Sequence, residues 1–423
     1  MSTAVRSLLR AWSPTAFGAS TLVVEIPLVY AAASRSANGA RELAALGVCL
    51  AVLVVVNTPA LAVTPLVVTE QDRHPLPRLW RYAVLIGCLG ALILLAAAAL
   101  PVAAIMVGGQ PDLTGAVRAG LLGLVPNSVG VALRRYLHGR LIGAARTGMI
   151  VPAGIVRIAG SGALAWVGVG VFPASGAAVG GAALSAGALI ETAVLAVAVR
   201  RLPAPDPAPR AEPRRALVRQ HAHLSTARLL FMVPMLVTTV GIAHSAQAGP
   251  SLVVWPALYE LAMLFCSPAS DWESVSARAR RANPGDRGPR RLTLLLITGF
   301  AGLFAVVVWS GLARHYLTGL LAVPSGPADL GLRAAPLLLP VPVLWVLRAH
   351  LRGSVMARHR TRSLVAAAGV HLIALTGFVG ALSRTALPGV TVACLAMSAG
   401  LLAELGMLAR GTITSGAATR ASR

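Results

Sequence analysis

Apolar runs of about twenty residues recur along this 423-residue chain, and no other feature limits its fold so tightly. A helix needs roughly 20 apolar residues to cross a hydrocarbon core of about 30 Å. Twelve stretches reach that length: 13–33, 43–68, 82–107, 115–137, 148–169 and 174–199, then 224–246, 251–272, 292–313, 330–350, 363–382 and 386–409. Hydrophobic residues make up 56% of the chain and charged ones 12%, which excludes an ordinary soluble protein. In lipid each backbone group must be satisfied within its own segment, so these runs are predicted to be helices.

The formal net charge of +23 raises a nucleic-acid partner, and the distribution of that charge argues against one. Every cation is Arg; there is no Lys. With both termini cytoplasmic, only Arg35, Arg41, Arg118, Arg314, Arg333 and Arg384 fall in outer loops or at outer span ends, and only Arg157 lies in the middle of a span. All the others fall in inner loops and tails, a strong positive-inside bias. Anionic lipid of the inner leaflet accounts for such a surface without nucleic acid. The expected location is the inner (cytoplasmic) membrane. Cys49, Cys88, Cys266 and Cys394 all fall in spans without paired spacing and are expected to be structural thiols. Met1 to Trp12 carries Arg6 and Arg10 without a cleavable-signal pattern and is predicted to be a short interfacial helix.

A repeat divides the chain. Residues 133–147 and 347–361 align without a gap, matching Leu133/Leu347, Arg134/Arg348, Leu137/Leu351, Gly139/Gly353, Arg146/Arg360 and Thr147/Thr361. At the same offset Pro126 meets Pro340 and Arg157 meets His371. A weaker echo sets Asn57-Thr58-Pro59-Ala60 against Cys266-Ser267-Pro268-Ala269; the prolines mark either plain kinks or hinges. The Pro/Arg-rich stretch 200–223 reads as an extended cytoplasmic linker between bundles 1–199 and 224–410, with a tail at 411–423. Six spans per half make the repeats parallel. The predicted fold is an all-α integral membrane protein of twelve transmembrane helices, in two six-helix bundles related by a pseudo-twofold axis along the membrane normal.

The repeated motif has a plain reading as a basic helix end. Arg134 and Arg348 would snorkel to the headgroups, and Gly139 and Gly353 would allow close packing or a left-handed cap. As a unit, Arg-x-x-x-x-Gly leaving the fourth span of each half resembles the multidrug/oligosaccharidyl-lipid/polysaccharide flippase superfamily, which includes the toxic-compound extruders. Glu25-Ile26-Pro27, Asn57-Thr58-Pro59, Thr69 through Arg73 and Phe265 through Asp271 resemble its progressive-ankylosis-like branch. The resemblance implies an exporter or flippase that works by alternating access.

Charges within the spans supply the candidate functional residues, because each costs about 2.5–3.5 kcal/mol at mid-bilayer on insertion scales. Glu25 lies in span 1, Arg157 in span 5, Glu191 in span 6, Glu260 in span 8, His371 in span 11 and Glu404 in span 12. Glu25 and Arg157 read either as a static buried pair or as parts of a transport cycle. In the functional reading Arg157 and His371, with Asn57 and Asn127, bind an anionic or lipid-linked substrate. Glu25 and Glu260 would then couple transport to a proton or cation, and Arg157→Ala would abolish transport in a folded protein. Asp271 joins Arg134, Gly139, Arg348 and Gly353 in the cytoplasmic motif.

No phosphate loop, catalytic metal signature or cofactor motif is present. His221-x-His223 falls in the linker and reads as too exposed and incomplete for a metal. The expectation is a non-enzyme, acting as a monomer among membrane lipids. Two alternatives stay open: a major-facilitator transporter, which would use Asp72-Arg73 and Gly285 through Arg291, and a membrane enzyme or non-transporting scaffold.

Overall fold

The computed structural model describes residues 3–71, 74–144, 146–202, 213–270, 272–283, 285–357 and 361–421. Among these, twelve helices have at least 18 residues and no strand forms. The first six are α1 (Thr3–Ala33), α2 (Gly39–Val56), α3 (Leu76–Ala99), α4 (Pro111–Gly143), α5 (Ile150–Val171) and α6 (Gly176–Arg200). The second six are α7 (Arg214–Ala243), α8 (Ala248–Ser270), α9 (Gly288–Trp309), α10 (Pro340–Ala357), α11 (Thr361–Leu382) and α12 (Gly389–Ala421). Ten are long and apolar enough to cross a membrane, and α10 makes an eleventh span with the bent segment Ser325–Leu338 before it. The fold class is the expected one, a multi-pass all-α membrane protein. α1 has no break near Trp12, so the expected interfacial helix is simply its first turns.

The outward faces show why lipid is the solvent. Along α3, Leu85, Leu89, Leu92 and Ile93 are spaced as one helical face, and all are exposed. Ala83, Gly87, Gly90, Leu94 and Ala97 form the buried face. An exposed Leu/Ile stripe of this length is tolerated in hydrocarbon, not in water.

Packing groups the chain into two compact units, Glu25–Val240, and Met1–Val24 with Gly241–Arg423. In the first unit α4 runs down the middle, packed against α2, α3 and α6, while α5 lies on α6. In the second, α10 packs against α8, α9 and α12, and α11 lies on α12. The same helix pairs therefore recur half by half. The Gly/Ala-rich start of α6 packs tightly: a Cβ on Gly181 would sit 2.6 Å from the Gly120 carbonyl oxygen of α4.

The units differ from the expected bundles 1–199 and 224–410, since Met1–Val24 groups with the second half and α7 as far as Val240 with the first, and the expected linker differs too. Residues 214–223 are helical and open α7, not extended. Leu217 is buried in a cluster with Leu79, Tyr136, Leu137 and Leu195. His221 is buried too, its Nε2 2.9 Å from the Pro59 carbonyl oxygen and its Nδ1 2.9 Å from the Tyr82 hydroxyl. The exposure expected of His221 is thus corrected: the cation-rich segment has an apolar stripe, and that stripe is packed.

Candidate functional site

Among the described residues, each unit buries a charge cluster of five side chains. In the first, Glu191 on α6 is the hub. Its Oε2 accepts a hydrogen bond of 2.6 Å from Arg134 Nη1 on α4, and Arg157 Nη1 on α5 lies 3.4 Å from the same oxygen. His138 Nε2, one turn beyond Arg134, is 3.2 Å from Oε1. Arg157 also grips Glu25 on α1 as a fork, donating from Nε to Oε1 at 2.9 Å and from Nη2 to Oε2. Glu25 and Glu191 are almost fully buried. Gly187, one turn before Glu191, leaves room for this pair: a Cβ there would stand 3.1 Å from Glu25 Oε1 and 3.4 Å from Arg157 Cγ.

In the second unit Glu404 on α12 is the hub. Arg348 Nε donates to its Oε2 at 2.7 Å, and His371 Nδ1 lies 3.1 Å from the same oxygen. Arg352 bridges Glu404 Oε1 at 3.2 Å and Glu273 Oε2 at 2.9 Å. Gly400, one turn before Glu404, makes room for His371, whose Nε2 would meet a Cβ there at 3.2 Å.

Each cluster contains two Arg, two Glu and one His, neutral overall when the His is neutral. The composition is kept while two positions are exchanged. Arg134 corresponds to Arg348, but His138 corresponds to Arg352 and Arg157 to His371. The second carboxylate follows the second Arg. Where that Arg is deep in α5 it is met by Glu25, and where it is near the end of α10 it is met by Glu273, on the short helix Trp272–Ala282. Arg cannot shed its proton, so a buried Arg needs such a partner.

These contacts correct the reading of the repeated motif. Arg134 and Arg348 do not snorkel; both are buried inside helices that continue to Gly143 and Ala357. Gly139 and Gly353 are packing glycines within those helices, not caps. A Cβ on Gly139 would stand 2.7 Å from Val67 Cβ, and one on Gly353 would stand 2.6 Å from the Glu273 carbonyl oxygen. Each half thus seats its motif glycine on a short helix, Val63–Glu70 in the first and Trp272–Ala282 in the second. Asp271, expected in the same motif, lies outside the described residues, as do Asp72 and Arg73.

The remaining candidates separate. Asn57 sits at the break between α2 and the turn Thr58–Leu61, where Pro59 cannot continue the hydrogen-bond ladder. Its Nδ2 donates to Asn127 Oδ1 at 3.0 Å, its Oδ1 accepts from Ser128 Oγ at 2.7 Å, and Asn127 Nδ2 donates to the Leu184 carbonyl at 3.0 Å. The two asparagines therefore tie the broken span to α4 and α6. Arg157 and His371, expected to face an anionic substrate, are instead occupied by carboxylates of their own unit. Glu260 differs from all of these: it is buried on α8, near Tyr259 and Tyr316, with no hydrogen bond or ion pair among the described residues.

Sequence reasoning placed Glu191 and Glu404 inside spans but did not see them as hubs. The signal was present. Ser185-Ala186-Gly187-Ala188-Leu189-Ile190-Glu191 repeats as Ser398-Ala399-Gly400-Leu401-Leu402-Ala403-Glu404. Its offset is one residue shorter than that of the Arg motif, so a gapless comparison at the longer offset passes over it.

No family model matches the chain, and no curated protein matches it in sequence. Solved structures do. An inward-facing multidrug resistance MATE family transporter of the MOP superfamily superposes with a TM-score of 0.77 at 11% identity, covering 96% of both chains. The lipid II flippase MurJ, in an inward closed conformation, gives 0.72 at 11% identity over 94% of this chain and 87% of its own. A MOP superfamily transporter from Pyrococcus furiosus gives 0.64 at 13% identity over 98% and 96%. Twelve helices in two bundles, repeated half by half, are thus the architecture of the MOP superfamily transporters, and the chain has that fold.

Proposed function

We propose that the chain is a secondary-active exporter or flippase working by alternating access, in the inner membrane with both termini cytoplasmic. The observation that carries this reading is the self-contained charge cluster in each unit of a MOP-type fold. Each cluster balances its own charges within one unit, so that part of each unit can keep its internal structure through a transport cycle. The neighbours named above are a multidrug transporter and a lipid II flippase, which supports a substrate that is a small molecule or a lipid-linked one. Arg157 and His371 act here as internal braces; an anionic substrate loses its expected ligands with them. The major-facilitator alternative belongs to a different fold.

Coupling falls to Glu260 in preference to Glu25. Both Glu25 oxygens are taken up by the Arg157 fork, whereas Glu260 has no partner among the described residues and is open to a proton or cation as access changes. The test compares cells with and without the protein at two external pH values, scoring exported metabolites and the leaflet distribution of lipid-linked precursors. A gradient-dependent difference is expected, reduced at least tenfold by Glu260→Gln with Tm unchanged. No difference under any gradient would leave the scaffold or enzyme alternative standing.

A further inference from the structure

A groove of about 380 Å³ opens on the first unit where α4 and α6 end and α5 begins. One wall is a single stripe of α6, Val194, Val197 and Ala198, continued by Arg201 at its C-cap, spaced i, i+3, i+4 and i+7. Leu141 and Arg146 close the other side. At 1.5 Å per residue the stripe is about 10 Å long. It is apolar for most of that length and cationic at the end where the chain leaves the membrane. Val197 is exposed, so the wall is open to the surrounding lipid.

The two arginines differ in kind from those of the clusters. Arg134, Arg157, Arg348 and Arg352 are all taken up by carboxylates. Arg146 and Arg201 are exposed, and their side chains make no hydrogen bond or ion pair among the described residues. Two unpaired guanidinium groups at the mouth of an apolar groove match a phosphodiester above an acyl chain. A free anion would use the arginines and leave the stripe idle.

We infer that this groove binds one anionic phospholipid of the leaflet on that side, its phosphodiester between Arg146 and Arg201 and an acyl chain along α6. The inference does not depend on the transporter reading. The test is native mass spectrometry of the full chain released from neutral detergent, with phosphatidylglycerol and phosphatidylcholine as competing probes.

The wild type should retain phosphatidylglycerol in preference. Arg146→Ala with Arg201→Ala should lower that retention roughly thirtyfold, the worth of two cations at an anionic surface. Val197→Asn, with both arginines intact, should lower it severalfold. Arg214→Ala with Arg219→Ala, two exposed cations at the start of α7 that do not line the groove, should leave it unchanged. All five positions are exposed, and a circular-dichroism melt checks that each variant is folded. The inference fails if the groove double variant or Val197→Asn retains as much lipid as wild type. It also fails if the α7 variant loses as much as the groove variant, which would mean general basicity. Inorganic phosphate displacing the lipid at millimolar concentration would mean a free-anion site instead.

Discussion

An arginine in hydrocarbon cannot lose its charge, so its neighbours must supply the opposite one. That constraint changes the expected behaviour of Arg157→Ala. Stripped of the guanidinium, Glu25 is left buried without a cation, a loss of about 3–5 kcal/mol. The variant should therefore lose folded yield and Tm, not transport alone. Arg157→Met with Glu25→Met should regain most of it, as read by size-exclusion profile after heating.

The exchanged positions give a sharper comparison. Arg352→His with His371→Arg puts the first unit's arrangement into the second and strands Glu273, whose side chain is 21% exposed and can fall back on water. His138→Arg with Arg157→His strands Glu25, at 1%. The second swap should lower Tm several times more than the first. Equal effects would mean that Glu25 is not held by its fork. Arg157 and His371 were visible in the sequence because a gapless repeat aligned them. Their partners were not, because pairing depends on how α4, α5 and α6 turn toward one another, and spacing along one chain does not encode that.

Helices carry the next level of constraint. Gly353 is seated on Trp272–Ala282 against the Ser276 hydroxyl and the Glu273 backbone carbonyl, and the backbone cannot give. Gly353→Ala should lower Tm clearly, by an amount in the 1–3 kcal/mol range typical of overpacking. Gly148→Ala meets nothing within 4 Å and should be neutral. A thermal melt in detergent separates them, and equal shifts would sink the packing role. Span existence was legible from hydropathy alone, and ten helices and one bent pair follow it. The start of α7 was not. Prolines and charge dominate 200–223, yet Leu217, His221 and Leu224 recur at i, i+4 and i+7, a helical stripe that composition obscures.

At the scale of the whole molecule, identities of 11–13% over nearly complete chains show how little sequence this architecture needs. Apolar length, parallel duplication and positive-inside charge were enough to foresee it, whereas a substrate leaves no such global mark. Orientation is open to direct test. A cysteine at Ala37, between α1 and α2, should react with an impermeant maleimide from outside intact cells. One at Arg287, before α9, should react only after permeabilisation. The reverse pattern would overturn the assignment.

The hub carboxylates also set a schedule for synthesis. Glu191 and Glu404 lie on α6 and α12, the helix that comes last in each half. A ribosome delivers Arg134 and Arg157 to the membrane before Glu191 exists, with only Glu25 there to meet them. Arg348, Arg352 and His371 wait in the same way for Glu404, with Glu273 alone already made. Until that final helix arrives, the arginines of each half sit in the bilayer undercompensated and the half is only provisionally inserted; its arrival is the step that commits the half to the membrane.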